Sequence, residues 1–560
     1  MMSERWWKQC VVYQVYPQSF KDSNGDGIGD LAGVVEKLPY ISELGADVIW
    51  LNPIYESPLI DNGYDISDYY NINPIFGSLA TFKQLLKAAH DLNIKIIMDL
   101  VVNHTSDQHY WFQESRKSKS NPYADFYIWK DPAEDGSPPT NWGATFGGSA
   151  WEYVPERNQY YLHLFAKEQP DLNWENPAVR KEVYRIMKYW LDMGIDGFRM
   201  DVISLISKRP DYPDAPSDAI YSKSYYTGAS NGPRVHEFLQ EMHHEVLSQY
   251  RCITVGETPN TNSTQALLYT LPERKELNMI FQFDHMHLDY GKYGKFSDVR
   301  FKMSDLRATM TEWQQKLDAG WNSLYWSNHD QPRAVTRFGN DGQFRTASAK
   351  MLATLLHMMK GTPYIYQGEE LAMRNVPIDA IEKYKDIETL SVYETFKNAG
   401  LDDDYIKKAI YLKSRDNARV PMPWDATEKS GFTTGEPWIN FSPDNAFINV
   451  KDALNDENSV FYHYKELIKI RKTYPVVVDG RYELINDTDS DVYGYIRVLR
   501  EEMLVVICSF SEDKVNYILP EHLLTHSAKL LLSNYAGSQE LLVQKLELRP
   551  YEALIYHCIM

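Results

Sequence analysis

Eight short apolar runs, rich in β-branched and aromatic residues, punctuate this chain, and each is followed by an amphipathic helical stretch. The runs begin at Val11, Ala46, Lys95, Gly197, Cys252, Asn278, Asn322 and Pro363. A repeated strand-then-helix rhythm is the mark of a parallel sheet, and eight such units predict an α/β protein built on a (β/α)8 TIM barrel. An open doubly wound sheet with a nucleotide site would want a glycine-rich turn straight after an early strand. The G-x-G candidate, Gly25 to Gly29, is crowded with acids that would repel a pyrophosphate. Four of the runs lead to a carboxylate: Asp99, Asp201, Glu257 and Asp330. A barrel would gather these at its C-terminal rim, the face where such barrels place their chemistry.

The interval from about His104 to Glu175 is rich in Trp, Tyr, Pro and Asn, and it is far longer than an ordinary βα loop. It predicts an inserted subdomain over 104–175 after the third strand, which leaves 1–103 and 176–476 for the barrel. Beyond about Val477 the helical rhythm yields to DVYGYIRVLR, EMLVVICSF, AKLLLSN and EALIYHCIM. These short strands predict a C-terminal antiparallel β-domain, a small sandwich over 477–560.

A chain of 560 residues with 43% hydrophobic content can bury a large core, and a formal charge of -19 repels phosphate backbones. That balance argues against nucleic acid and anionic membranes as main partners, and solubility alone explains an acidic surface equally well. Cys10, Cys252, Cys508 and Cys558 are far apart, form no CxxC pair and read as reduced thiols. The start, MMSERWWKQC, lacks the apolar core of a secretory signal, and no apolar run approaches the roughly 18 residues that span a bilayer. The expectation is a cytoplasmic monomer acting on a small molecule.

Acids brought together from distant sequence suit acid/base work. Cleaving a glycosidic bond needs one carboxylate to attack an oxocarbenium-like centre and a second carboxylic acid to protonate the leaving oxygen. Asp201 and Glu257 end adjacent predicted strands, and adjacent strands lie about 4.8 Å apart. That is close to the separation of roughly 5 to 5.5 Å in retaining glycosidases. Arg199 shares a strand face with Asp201 and is placed to hold it ionised as a nucleophile. Glu257, beside Val255 and Pro259, is expected in a less polar setting that keeps its proton for acid/base work. DSNGDGIGD, from Asp22 to Asp30, puts oxygen donors at alternate positions of a glycine-rich turn, which suits a hard cation such as Ca²⁺.

DLVVNH (Asp99 to His104), QPDLNW (Gln169 to Trp174), GFRMDV (Gly197 to Val202), GETP around Glu257 and NHD (Asn328 to Asp330) occur in this order over nearly the whole chain. Together they resemble the ordered signature segments of the α-amylase family of glycoside hydrolases. The resemblance implies Asp201 as nucleophile, Glu257 as acid/base and Asp330 as the third carboxylate, which binds sugar hydroxyls. It implies that His104 and His329 hydrogen-bond the glucose in subsite −1. It also implies Tyr64 as a stacking platform, Asp65 as a hydroxyl ligand, and Arg415 as the partner that pairs with that Asp to close the pocket. Phe165 would complete the apolar wall. The acidic loop is similar to the calcium site of the oligo-1,6-glucosidase branch, which implies a structural Ca²⁺ on Asp22, Asn24, Asp26, Asp30 and the carbonyl of Ile28, and no organic cofactor.

Within the family, Val202 after the nucleophile resembles the α-1,6-cleaving branch, where a β-branched wall narrows the approach to subsite +1. Pro259 departs from the Trp usual in dextran glucosidases. The expectation is therefore a retaining, exo-acting α-glucosidase for isomaltose and short isomalto-oligosaccharides. Trehalose-6-phosphate hydrolase shares DVI and LISK but must bind a phosphate, and no basic cluster is assignable to that task. An α-1,4- or sucrose-active α-glucosidase is the other alternative. The Arg-rich loop of sucrose isomerases is not apparent in QQKLDAGWNS. A non-catalytic barrel of the transporter heavy-chain type would carry a membrane helix and lack these acids.

Overall fold

The computed structural model describes residues 6–215, 226–486, 491–525 and 527–559. Its centre is a parallel barrel of strands β1 (Val12–Val15), β2 (Val48–Leu51), β3 (Lys95–Leu100), β4 (Gly197–Met200), β5 (Ile253–Glu257), β6 (Met279–Phe281), β7 (Ser323–Leu324) and β8 (Thr362–Tyr366). They are hydrogen-bonded in the order β6-β5-β4-β3-β2-β1-β8-β7. A parallel bridge from Ile280 to Asn322 joins the two ends and closes the ring.

All eight apolar runs of the sequence form barrel strands. The strand β7 keeps two residues of its run and ends at Leu324, which places Asp330 on the turn beyond.

Helices follow each strand: α1 (Leu31–Leu44), α2 (Leu79–Asp91), α3 (Pro177–Met193), α4 (Val235–Glu245), α5 (Ser263–Thr270), α6 (Met303–Lys316) and α7 (Arg345–His357). After β8 the chain first makes a helical hairpin, α8 (Ile387–Asn398) and α9 (Asp403–Lys413), before α10 (Val460–Thr473) completes the outer ring. Local chemistry sets these ends. The Asn176 side chain accepts the Ala178 amide ahead of Pro177, the first residue of α3, and Gly194 in the left-handed region stops that helix.

Residues 104–175 carry a three-stranded antiparallel sheet of Trp129–Lys130, Gln159–Leu162 and Trp151–Val154, with Gln159–Leu162 in the middle. At the C-terminus, β9 (Arg481–Leu484), β10 (Val492–Leu499), β11 (Glu502–Ser509), β12 (Val515–Ile518), β13 (Ser527–Ser533), β14 (Lys545–Leu548) and β15 (Ala553–Ile559) form an antiparallel domain. Its five-stranded sheet runs β9-β10-β11-β15-β13, and β12 pairs with β14 over a separate apolar cluster. Among the described residues, no helix is long and apolar enough to cross a membrane, and all four cysteines are unpaired.

Inside the barrel, Trp50, Phe281 and Tyr364 meet ring to ring at 4.6–6.2 Å. They form an aromatic plug, and the Arg199 guanidinium lies 5.0 Å above the Trp50 ring. Contact between β4 and β5 is tightest at Gly197, whose φ is 149° and where an added Cβ would stand 1.9 Å from the Ile253 carbonyl oxygen. Gly197→Ala therefore has no route to relieve the clash except by parting two barrel strands. We expect a loss of about 3 kcal/mol or more, read as a collapse in soluble yield and a lowered unfolding temperature; an unaltered melting curve would contradict the packing described.

Candidate active site

Arg199 sits on β4 with 1% of its surface exposed and spends both terminal nitrogens on acids from three neighbouring strands. Nη1 reaches Asp99 on β3 at 2.7 Å and Asp201, just past β4, at 2.6 Å; Nη2 reaches Glu257, the last residue of β5, at 2.7 Å. The parallel register explains the meeting, since Arg199 is paired with Asp99 on one side and Val255 on the other. Asp201 and Glu257 thus lie within the span of one guanidinium. Arg199 is not dedicated to Asp201, as the sequence suggested, and the setting of Glu257 is charged rather than apolar. One cation shared among three acids leaves an excess of negative charge. Burial pushes the Asp201 carboxyl well above the ordinary range, Arg199 opposes this, and the charges of Glu257 and Asp99 add to it. Asp99 is raised to about 6 for the same primary reason.

The backbone at Val202 is unusual. Its φ of 34° puts a β-branched residue in the left-handed region, a conformation costing on the order of 1–3 kcal/mol. In return the Val202 amide donates to the second oxygen of Glu257 at 3.0 Å. Both oxygens of Glu257 are therefore fixed, and the Val202 side chain stays buried beside them.

Tyr64 stacks on His329, with ring centroids 5.1 Å apart and planes 8° apart. Its hydroxyl meets Asn52 at 2.8 Å and Asp99 at 3.3 Å. Gln14 donates to Nδ1 of His329 at 2.9 Å, which places the ring proton on Nε2. That Nε2 is buried without a hydrogen-bond partner and lies 3.2 Å from Asp330. His104 brings its Nε2 to 3.1 Å from the Tyr64 carbonyl, and its ring lies 5.1 Å from that of Phe165. Burial lowers His104 to about 4 and His329 to about 3, so both rings are neutral at neutral pH. Asp330 is driven well below the carboxylate range although burial opposes this. A neutral His329 cannot supply that charge; Arg415 and Arg419, each 3.1 Å from Oδ1, supply it.

The acid that pairs with Arg415 is Asp61 and not Asp65. Arg415 bonds Asp61 at 3.1 Å and Asp386 at 2.7 Å, and the Phe146 ring lies 4.8 Å from its guanidinium. Asp65 is fully buried and accepts the amides of Ile60 and Asp61 at 2.9 and 3.0 Å, so it shapes the turn that carries Asp61. Burial raises Asp61 to about 6, against the pull of Arg415. Sequence reasoning missed Asp61, Asp386 and Arg419. In DNGYDI two aspartates are four residues apart, and only the turn decides which one faces Arg415. Arg419 could have been found, because it lies four residues after Arg415, the spacing of one helical face. Behind His104, buried Lys208 bonds Asn103 and Asp171, each at 2.7 Å, and Asn103 contacts the His104 ring.

A cleft of about 1100 Å³ opens between the 137–149 segment, the 287–296 loop and α8. Its lining meets the closed end at Phe146 and Glu388, both of which touch Arg415. In the acidic loop, Asp22, Asn24 and Asp26 each accept the amide two residues on, and Ser23 reaches Asp30. Asp22 also takes the amides of Gly25 and Gly27 and the hydroxyl of Thr433. Among the described residues, no three His, Cys, Asp or Glu side chains converge to hold a metal. The Asp22, Asn24, Asp26, Ile28 and Asp30 set supplies hard oxygen donors that suit Ca²⁺ chemically. Its carboxylates are directed at backbone amides.

A closed parallel barrel with a cluster of buried acids at the C-terminal ends of its strands, linked through Arg415 to the lining of a cleft, defines an enzyme of the TIM-barrel class. The catalytic domain model of alpha-amylase matches residues 14–480. An oligo-1,6-glucosidase of Parageobacillus thermoglucosidasius is 56% identical over 99% of both chains. A crystal structure of trehalose-6-phosphate hydrolase from Bacillus licheniformis superposes with a TM-score of 0.94 at 48% identity, covering 99% of this chain and 100% of that one. One of isomaltulose synthase from Protaminobacter rubrum superposes with a TM-score of 0.95 at 40% identity and the same coverage. The chain belongs to the α-amylase family and is a glycoside hydrolase.

The two aspartates of the DNGYDI turn should separate on mutation. Asp61→Asn is expected to lower kcat/KM for glucosides by about 100-fold, about 2.7 kcal/mol of transition-state binding, with a smaller effect on melting temperature because Arg415 keeps Asp330 and Asp386 as partners. Asp65→Asn is expected to act mainly on stability. The reverse pattern would refute the assignment.

Proposed function

We propose that the protein is a retaining, exo-acting α-glucosidase that releases terminal α-1,6-linked glucose from isomaltose and short isomalto-oligosaccharides. The observation that carries this reading is the shared guanidinium, because it keeps Asp201 and Glu257 in the close-set pairing that double displacement needs. Asp201 attacks the anomeric carbon while Glu257 protonates the departing oxygen. Glu257 then deprotonates the water that hydrolyses the glycosyl-enzyme. Asp330, held ionised by Arg415 and Arg419, accepts hydroxyls of the −1 sugar, and the Nε2–H of His329 donates to one. Tyr64 offers a ring face, and Phe165 stands beside His104 on the wall. Exo attack follows from the sealed end, where Arg415, Asp61 and Asp386 leave a single sugar no way through.

The α-1,6 preference is supported by the buried Val202 wall and by the kinship with oligo-1,6-glucosidases. Trehalose-6-phosphate hydrolysis is the second reading, favoured by the equally complete structural match. Among the described residues of the cleft, Lys295 is committed to Glu388 at 2.5 Å, which removes an obvious phosphate partner. The discriminating assay is initial glucose release from isomaltose, maltose, sucrose, panose and trehalose-6-phosphate at equal concentration. Isomaltose should lead, and the first product seen by NMR should be the α-anomer. A lead of trehalose-6-phosphate by more than about tenfold, a full 1.4 kcal/mol of transition-state binding, overturns the linkage reading. A β-anomer overturns the mechanism. Asp201→Asn should lower kcat by about 1,000-fold or more.

We further propose that Ca²⁺ binds Asp22, Asn24, Asp26, Asp30 and the Ile28 carbonyl as a structural ion far in sequence from the acids. Bound there, it would neutralise the loop and tie the start of α1, whose cap is Asp30, to the Thr433 segment. Chelation should lower the melting temperature by a few degrees, and Ca²⁺ should restore it without changing KM. Identical melting curves with and without the ion remove the proposal.

A further inference from the structure

The loop between β6 and α6 supplies His287, Tyr290, Tyr293 and Lys295 to the wall of the cleft, yet its own anchor lies out of sight of any sugar. Asp289 is 4% exposed and receives Arg337 through two nitrogens, at 2.8 and 2.7 Å, together with the ammonium of Lys413. The backbone carbonyl of the same residue accepts the Ser297 hydroxyl at 2.8 Å, which gathers the loop on itself. Arg337 follows β7 and also grips Met286 and Gln331, the neighbour of Asp330. Lys413 ends α9, two residues before Arg415. One carboxylate thus joins three structures: the cleft wall, the turn bearing Asp330, and the hairpin that carries both Glu388 and the run-up to Arg415.

We propose that Asp289, Arg337 and Lys413 form an ionic pin that positions the 287–296 wall and so sets how the enzyme receives the leaving-group sugar. This rests on the α-glucosidase reading. They are positioning residues, since none of them lines the cleft. Removing Lys413 leaves Asp289 paired with Arg337 alone and frees the hairpin end from the wall. The wall then shifts relative to a −1 pocket that Arg415 and Arg199 still hold. Only the part of the substrate beyond the scissile bond feels the change.

The pin is also sensitive to pH. Burial lowers Lys413 to about 7, helped by the facing charges of Arg337 and Lys295 and opposed by Asp289. Its amine is charged below that value and neutral above it, so the clamp loosens as pH rises through neutrality.

The test compares KM for isomaltose with KM for p-nitrophenyl α-glucoside in wild type, Lys413→Met and Lys413→Arg. Lys413→Met should raise KM for isomaltose about tenfold, with kcat and the aryl-glucoside KM within about twofold. Lys413→Arg should keep the wild-type KM and hold it constant to higher pH, because a guanidinium does not titrate there. If Lys413→Met raises both KM values alike, if it leaves both unchanged, or if the Lys413→Arg and wild-type pH profiles coincide, the proposal is overturned. Should Lys413→Met not fold, the pH profile of Lys413→Arg decides alone. Failure of the linkage reading shows separately, as wild type leaving isomaltose intact, and the comparison then runs on whichever disaccharide it cleaves.

Discussion

A single buried arginine organises this molecule. Taking a guanidinium out of water is costly, and only matched carboxylates offset that cost. Arg199 has three of them within 2.7 Å. The arrangement is over-satisfied in charge. Three acids around one cation cannot all ionise freely in a dry site, which is why Asp201 and Asp99 are raised by burial rather than lowered by their partner. The cluster thus carries more acid than its one cation can balance. The aromatic plug of Trp50, Phe281 and Tyr364 below keeps water from reaching the guanidinium from beneath.

The closed end of the pocket follows the opposite rule. There Arg415 and Arg419 face Asp61, Asp330 and Asp386, and the two guanidiniums hold Asp330 and Asp386 ionised. Asp201 and Asp99 are thus raised over Arg199, whereas Asp330 and Asp386, each beside both Arg415 and Arg419, are lowered, and Asp61, which meets Arg415 alone, is raised by burial. This difference comes from the ratio of cations to acids and not from the acids themselves. Val202 bears backbone strain beside Glu257. Its left-handed backbone turns an amide onto Glu257 and its branched side chain into the buried apolar cluster that holds Trp142 and Leu205. A glycine would adopt that conformation without strain but would leave the cluster without its branched side chain.

Much of this was legible in the sequence because strand periodicity and strand ends are local signals. The eight apolar runs announce the barrel, and parallel register carries Asp99, Arg199, Asp201 and Glu257 to one rim with no further information. What stayed hidden depends on loops. The sequence could not distinguish Asp61 from Asp65, because the choice is made by two amide bonds inside one turn. It could not reveal that Arg199 is divided three ways, since that needs β3, β4 and β5 at their actual spacing. The α8–α9 hairpin went unseen as a separate feature, because its helices have the same amphipathic pattern as those of the outer ring.

The backbone of the chain superposes closely on enzymes whose names describe different reactions, so the barrel itself does not select the product. Selection must lie where the chain is free to vary without disturbing Arg199 or Arg415, and that is the cleft wall. The 137–149 segment, the 287–296 loop and α8 each reach the cleft from a different part of the sequence. Each is tied back by buried contacts: Phe146 on Arg415, Arg337 and Lys413 on Asp289, and Glu388 near Arg415. A substitution in any of these contacts can move one wall while the acids keep their geometry. Specificity in such an enzyme is therefore adjusted by how the walls are anchored as much as by which side chains they display.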